Sequence, residues 1–263
     1  MRPVADLVAD LRALGVQPGY AVMAHASLRR MGPVEGGPAG VIAALDAAVG
    51  ADGGWMMTLG AANAWDWVNE KPEAERAALL ADAIPFDPAT TPAEGDVGYL
   101  AEAFRQAPST LVTDNPEGRF GARGSLAAEL LRDAPWNDYY GHGSPLQRLC
   151  EFGGAVLRLG ADPDTVTLLH YAEYLAPLPD KRRVTRHRRV LGPDGPIVRT
   201  VSCLDDSDGI VDWAGEDYFA LILKAYLAEG RGARGRVGGA SAELLDARDL
   251  VAFGAAWMGR NLA

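Results

Sequence analysis

The sequence predicts an α/β protein whose sheet contains parallel strands, and three stretches carry that expectation. The first is a strand, loop, helix, strand unit over residues 20–59; its helical crossover favours a parallel pairing of the two strands. The second runs from Val156 to Glu173. There Val156, Leu157 and Leu159 supply a short buried strand, Gly160-Ala161-Asp162-Pro163-Asp164 a turn, and the following residues a helix. The third is the alternation of residues 184–201 about Gly192-Pro193-Asp194-Gly195, which reads as a β-hairpin. A chain of 263 residues is long enough to bury a core without covalent staples.

The elements follow in order. Val4, Leu7, Val8, Leu11 and Leu14 give an amphipathic helix over 4–14 that Gly15 ends. Gln17-Pro18-Gly19 turns the chain into a strand from Tyr20 to Ala24. The loop His25-Ala26-Ser27-Leu28-Arg29-Arg30-Met31-Gly32 then lies at the strand's carboxyl end, where open α/β sheets bind ligands. A helix over 39–49 places Val41, Leu45 and Val49 on one face, and Asp52-Gly53-Gly54 leads into a strand from Trp55 to Leu59. Residues 60–96 form a long irregular excursion with Trp65, Trp67, an acidic helix near 72–83 and the run Phe86 to Pro92. Long loops of this kind are usually functional, and this one is read as part of a substrate wall. Next come a helix over 97–106, a strand from Thr110 to Thr113, a helix capped by Ser125 that runs to Arg132, and one from Ser144-Pro145 to Phe152. Asp164 or Thr165 is expected to cap the helix after the second buried strand, and helices near 216–228 and 246–259 close the chain. No internal repeat or low-complexity segment is present.

Composition bounds the function. Apolar residues at 48% and charged residues at 23% are ordinary for a folded soluble domain. The 25 Lys and Arg against 35 Asp and Glu give a net charge of −10. Such a surface disfavours nucleic acid and anionic membranes and suits a cationic partner, although solubility alone is a commoner cause. The chain enters its first helix directly with no signal-peptide pattern, and no apolar run approaches the roughly 18 residues that a membrane span needs. The expectation is a cytoplasmic protein. Cys150 and Cys203 show neither paired nor metal-type spacing and no basic neighbour, so they read as buried thiols rather than nucleophiles.

Common cofactor signatures are missing: no Walker-type loop, no Gly-rich dinucleotide fingerprint between strand and helix, no G-x-S-x-G elbow. The histidines at 25, 142, 170 and 187 are too far apart for a local metal motif, and no metal is expected. Arg236-Val237-Gly238-Gly239-Ala240-Ser241 brushes the pyrophosphate loop of the common acetyltransferase superfamily, but it fails at Ser241 and no strand clearly precedes it. His170 and Glu173 are the remaining candidates for chemistry. Three residues apart on a helix, they share a face, which fits either an acid/base pair at a strand's carboxyl edge or a core histidine satisfied by a carboxylate.

Taken together, His25-Ala26-Ser27-Leu28, Val34-Glu35-Gly36-Gly37-Pro38, Pro85-Phe86-Asp87-Pro88-Ala89-Thr90, Asn115-Pro116-Glu117, Ser144-Pro145-Leu146 and Leu159 through Glu173 resemble the aminoglycoside 3-N-acetyltransferases, the antibiotic N-acetyltransferase family. The resemblance covers nearly all of the chain. Order and spacing carry it, and Thr167-Leu168-Leu169-His170-Tyr171-Ala172-Glu173 is its most specific segment. It implies a single domain over 1–263, with a central mixed sheet flanked by helices, the 60–96 excursion and the 184–201 hairpin, distinct from the common acetyltransferase superfamily. It further implies acetyl-CoA as donor and the 3-amino group of an aminoglycoside's 2-deoxystreptamine ring as acceptor, hence antibiotic resistance.

Carried over residue by residue, the resemblance makes His170 the general base of a direct transfer and Glu173 its neighbouring acid. An imidazole of ordinary pKa, about 6.5, can take the amine's proton near neutral pH. His25, Ala26, Ser27, Leu28 and Arg29 become the coenzyme contacts, with backbone N–H groups of the 26–29 turn as candidate oxyanion donors; Ser27 could equally be a cap. A polycationic acceptor calls for carboxylates, and Glu117, Asp66, Asp205, Asp206 and Asp208 are the candidates. Glu117 stands in a family motif, whereas Asp205-Asp206-Ser207-Asp208 also fits a solvated turn. One departure bears on the drug spectrum: relatives carry a tryptophan and an acid at about Ala61 and Asn63. Two other classes stay open, a protein that sequesters a cationic drug without turnover and a hydrolase that uses His170 and Glu173 on water. Monomer and homodimer are both compatible with the sequence.

Overall fold

Seven strands form the central sheet in the computed structural model, which describes residues 1–262. The chain begins with α1 (Val4–Leu14), β1 (Ala21–Ala26), the single turn α2 (Leu28–Met31), α3 (Pro38–Val49) and β2 (Gly54–Thr58). The excursion holds 3₁₀ turns over 66–70 and 80–82 on either side of α4 (Glu73–Leu79). Then come α5 (Tyr99–Gln106), β3 (Leu111–Val112), β4 (Phe120–Gly124), α6 (Ala127–Leu131), α7 (Pro145–Glu151), β5 (Ala155–Leu159) and α8 (Leu169–Leu175). The hairpin β6 (Arg183–Gly192) and β7 (Gly195–Leu204) precedes α9 (Tyr218–Ala228), β8 (Ala233–Val237), β9 (Ala240–Asp246) and α10 (Ala247–Asn261).

Strand order is β3-β4-β2-β1-β5-β9-β8, with β1 parallel to both β2 and β5 and antiparallel strands at both sides. The sheet is therefore mixed and flanked by helices. Its three parallel strands are buried almost throughout because helices cover both faces, the arrangement that lets such strands be continuously apolar. Alternation along β1 divides the core: Val22 and Ala24 pack with Leu7, Leu11 and Leu45, while Ala21 and Met23 pack on the opposite face with Val156, Leu169 and Leu250. In α1 the stripe Leu7, Leu11, Leu14 faces that core, and Gly15 closes the helix in the left-handed region at φ 116°.

Several sequence expectations need correction. β1 continues to Ala26, so His25 and Ala26 lie on the strand and the loop starts at Ser27. β4, β8 and β9 were not expected as strands. Phe120-Gly121-Ala122-Arg123-Gly124 has poor intrinsic β preference, and its pairing with β2 depends on closeness: a Cβ on Gly124 would fall 2.4 Å from the Gly53 carbonyl. β8 is a largely exposed edge, and Gly238-Gly239 is the two-residue turn joining it to β9. A strand thus does precede the 236–241 stretch; a second strand follows it, so it opens no phosphate-binding helix. Ser125 does not cap α6, because its hydroxyl donates to the Gly53 carbonyl at 3.1 Å. Asp164 and Thr165 do not cap α8 either. The Thr165 hydroxyl donates back to the Asp162 carbonyl at 2.7 Å, and successive turns delay the helix to Leu169.

The excursion is tied down rather than free. The Arg119 guanidinium, fully buried, donates to the carbonyls of Gly60, Pro88, Thr91 and Pro92, and Phe86 bridges to Val190 of the hairpin. Cys150 and Cys203 are buried and unpaired with each other, and burial pushes both thiols up to about 12, out of the reactive range. Among the described residues no helix is long and apolar enough to cross a membrane.

Candidate active site

Parallel pairing brings the carboxyl ends of β1 and β5 side by side, with Ala26 opposite Leu159 and the Ser27 N–H donating to the Leu159 carbonyl at 2.9 Å. Two cavities open beyond this edge. One, of about 490 Å³, is lined by all five of His25, Ala26, Ser27, Leu28 and Arg29, with Thr58 and the 96–99 turn opposite. The other, of about 410 Å³, holds His170 and Glu173 together with Asp205, Asp206 and Asp208. Thr165 and Thr167 line both. The segment between β5 and α8 is thus the shared wall of two cavities.

His170 Nδ1 lies 2.8 Å from Glu173 Oε2. A carboxylate can only accept, so Nδ1 carries the proton and Nε2 is left with a free lone pair. The ring is clamped: it stacks on Tyr140 at 4.8 Å and 9°, and Phe219 meets it edge-on at 4.8 Å. The His170 side chain keeps 18% exposure whereas Glu173 has 1%. The second carboxylate oxygen of Glu173 accepts from the Tyr218 hydroxyl, so both of its oxygens are satisfied. Burial alone would lower the His170 pKa. The charge and hydrogen bond of Glu173, helped by Asp206 and Asp217, outweigh it, and the net direction is upward from 6.5.

His25 is the opposite case. It is 8% exposed with its Nε2 unpartnered, and burial, with Arg158 nearby, pushes it down to about 3, which keeps it neutral on the wall of the first cavity. Ser27 stands at the N-cap of α2 but its side chain makes no capping hydrogen bond. Arg29 is exposed at the cavity rim, and Arg30 ties the loop to Gly160 and Asp162.

The five candidate carboxylates fall into two sets. Asp205 is buried, pairs with Arg182 at 3.0 Å and accepts the N–H groups of Ser207 and Asp208, so it builds the turn on which Asp206 and Asp208 are displayed. Asp206 meets Arg186 at 2.7 Å and the Tyr139 hydroxyl at 2.6 Å. Glu117 and Asp66 line neither cavity. They gather around Arg188, Glu117 in direct contact and Asp66 at 3.7 Å, and Arg186 lies 3.8 Å from Glu117. Arg188 also lines a third cavity, of about 410 Å³, walled by Ala61 to Trp65 and Phe86 of the excursion.

Sequence reading missed several residues here. Asp164 and Asp217 add carboxylates to the second cavity, Tyr140 and Phe219 flank the imidazole, and Tyr218 holds Glu173. The available signals were faint: Asp217 precedes an apolar run as a helix cap should, and it does accept from Ala220 N–H at 3.0 Å. Arg186 and Arg188, two apart on β6 and so on one face, could have been read as partners for acids. Among the described residues no group of three or more His, Cys, Asp or Glu is placed to hold a metal.

Comparison with known proteins places the chain in a family. The chain is 40% identical over 267 residues to aminoglycoside N(3)-acetyltransferase III of Serratia marcescens, covering 98% of this chain and 97% of the relative. The solved structure of AAC-IIIb in a binary complex with CoASH superposes with a TM-score of 0.91 at 38% identity, over 98% of this chain and 96% of that one. Sisomicin-bound AAC-VIa gives 0.90 at 36% identity, over 98% of each. The family model described as aminoglycoside 3-N-acetyltransferase matches residues 23–259, and with this extent of agreement the chain belongs to the aminoglycoside 3-N-acetyltransferase family of acyltransferases.

Proposed function

We propose that the protein transfers the acetyl group of acetyl-CoA directly to the 3-amino group of the 2-deoxystreptamine ring of an aminoglycoside, with His170 as general base. One observation carries this reading: the His170–Glu173 pair sits in an acid-lined cavity that shares a wall with a second, separately lined cavity. A two-substrate transfer needs that arrangement, because donor and acceptor must meet at one point while binding to unlike surfaces. Acetyl-CoA occupies the 25–29 cavity and the drug occupies the acid-lined one. The likeness to a CoASH complex and to a sisomicin complex supports the two kinds of ligand.

In the reaction the amine nitrogen attacks the thioester carbon and gives up a proton to His170 Nε2. The tetrahedral intermediate then collapses, the C–S bond breaks, and the imidazolium returns the proton to the departing thiolate. Glu173 holds the imidazole in the tautomer that makes this possible and stabilises the imidazolium that forms. No enzyme-bound acyl group is required. Acetylation removes a positive charge from the drug, which is the basis of resistance, and a reaction that consumes acetyl-CoA belongs in the cytoplasm, with the whole chain acting as one domain.

Ammonium groups of the acceptor need carboxylates whose charge is not already spent. Asp164, Asp208 and Asp217 have no ion-pair partner among the described residues, whereas Asp206 and Glu117 face arginines of β6. In this reading the three free acids dominate ammonium binding, and Asp206, Glu117 and Asp66 set the shape and potential of the wall behind them. The test is release of free thiol from acetyl-CoA with and without a panel of aminoglycosides. Drug-dependent release with acetylated drug as product is expected; drug-independent release would indicate a hydrolase, and tight drug binding without release a sequestering protein.

A further inference from the structure

We infer that Tyr218 is a positioning residue for the catalytic pair: its hydroxyl fixes Glu173 by donating to Oε1, so that Oε2 is held on His170 Nδ1. The inference rests on His170 acting as the base. A carboxylate that is 1% exposed must find donors inside the protein, and Glu173 has two, the His170 ring on one oxygen and the Tyr218 hydroxyl on the other. Engaging both oxygens removes the freedom of the carboxylate to rotate, and the orientation of the imidazole follows from it.

Tyr218 is itself held on every side. It opens α9, whose first turn Asp217 caps, and it is 7% exposed. The Ile210 N–H approaches its oxygen at 3.5 Å, which directs the hydroxyl proton toward Glu173. Its ring meets Phe219 edge-on at 5.2 Å, and Phe219 in turn flanks His170. Gly209 lies so close that an added Cβ would sit 3.1 Å from the Tyr218 ring. Burial, with Glu173 beside it, pushes the phenol pKa up, so Tyr218 stays protonated and remains a donor.

The hydroxyl also has an electrostatic effect. Donation to Oε1 draws negative charge away from Oε2 and moderates how strongly Glu173 retains the imidazolium proton, which must leave again in the second half of the reaction. The other charged groups around the pair are Asp164 after β5, Asp205, Asp206 and Asp208 after β7, Asp217 before α9 and Lys181 before β6, while Tyr140 covers the free face of the ring. None of them touches Oε1.

The experiment is a kcat and KM profile against pH for the wild type, Tyr218→Phe, Glu173→Gln, the Tyr218→Phe/Glu173→Gln double variant and His170→Ala, together with protein carrying 3-fluorotyrosine at position 218. Tyr218→Phe should lower kcat on the order of 10-fold, the cost of one hydrogen bond to a charged group, with both KM values within about twofold. Its apparent pKa should move up, since Oε2 recovers charge. Fluorination makes the phenol a stronger donor without deleting an atom and should move the pKa down; this arm decides the matter if Tyr218→Phe does not fold. In the Glu173→Gln background the Tyr218 substitution should add little. Unchanged kcat and pH profiles in folded Tyr218→Phe and in the fluorinated protein, shifts of the same sign in both, or a loss confined to KM would overturn the inference. Wild-type turnover in His170→Ala would remove the base reading and this inference with it, whereas an inactive His170→Ala beside an unperturbed Tyr218→Phe would remove this inference alone.

Discussion

The pH dependence of the His170–Glu173 pair can be worked through to a refutable result. Burial and the carboxylate act on His170 in opposite directions, and in the intact protein the carboxylate wins, so the imidazole pKa lies above 6.5. A base must be neutral to accept a proton. Turnover should therefore rise with pH through an apparent pKa higher than that of an ordinary histidine. Glu173→Gln removes the largest of the influences that raise the pKa and leaves burial opposed only by the weaker pull of Asp206 and Asp217, so His170 in that variant should titrate below its wild-type value. Each unit of that displacement corresponds to about 1.4 kcal/mol of lost preference for the imidazolium. The rate above the pKa should fall roughly 10²-fold or more, because the amide neither enforces the Nδ1–H tautomer nor stabilises the cation. The sign for folding follows from the same shift. A group whose pKa is raised on folding contributes stability that is complete below its unfolded value, about 6.5, and is lost as pH rises through the folded value. The assay is a histidine-ring NMR titration of both proteins without drug, where the substrate amine cannot contribute, beside kcat profiles with drug. A wild-type His170 that titrates below 6.5, or a Glu173→Gln protein whose His170 does not move down, would refute the account.

Three further outcomes are expected. His170→Ala should lower kcat by a factor on the order of 100 or more while acetyl-CoA still binds with nearly unchanged affinity in calorimetry; near wild-type turnover in the folded variant would exclude a base role. His25, pushed down to about 3, contributes stability that is present above about 6.5 and lost as pH falls toward 3. That span converts at about 1.4 kcal/mol per pH unit to an upper bound of about 5 kcal/mol, and His25→Asn should flatten the acid limb of the denaturation curve; an equally steep limb would show the burden lies elsewhere. Drug affinity should weaken as salt rises while acetyl-CoA affinity holds or improves, since only the drug is attracted by a protein of charge −10, and equal salt slopes for the two ligands would mean that the charge is merely solubilising.

Much of the fold was legible because it rests on local rules. The stripe of α1, the turn at Gly192 to Gly195 and the apolar runs of β1, β2 and β5 each match a period or a turn chemistry, and the structure places them where those rules put them. The missed strands are those whose existence depends on a neighbour. β4 contains two glycines and an arginine and becomes a strand only because β2 offers its edge; β9 reads Ala240-Ser241-Ala242-Glu243-Leu244-Leu245-Asp246, a sequence equally suited to a helix, and is a strand because β5 lies beside it. The pairing of His170 with Glu173 was legible for a local reason too, since three residues on a helix fix two side chains on one face. Tyr140, Tyr218 and Phe219 come from segments 30 and more residues away, and no spacing rule could have delivered them.

The carboxylates mark a deeper limit, and they lead to the last expectation. Net charge and acidic clusters are visible in a sequence, but whether a given acid is free to meet a ligand depends on where the cations fold. Arg186 and Arg188 project from one face of β6, and between them they engage Asp206, Glu117 and Asp66; Arg182 takes Asp205. Glu117 and Arg188 are both nearly buried, with side chains 8% and 12% exposed, so removing one charge leaves the other poorly solvated. Glu117→Gln should accordingly cost about 2 kcal/mol of stability, a fall in Tm of roughly 4–8 °C for a chain of this size. Its effect on the drug's KM should be smaller than that of Asp217→Asn, which removes a carboxylate with no cation beside it in the cavity that holds His170. Asparagine can still cap α9, so the folding of that variant should be preserved. Thermal melts and drug KM for the two variants measured side by side decide between the assignments. If Glu117→Gln raises KM with no loss of Tm while Asp217→Asn leaves KM unchanged, the ammonium groups are bound on the excursion side of Arg186, and the acid-lined cavity around His170 takes only the reacting ring.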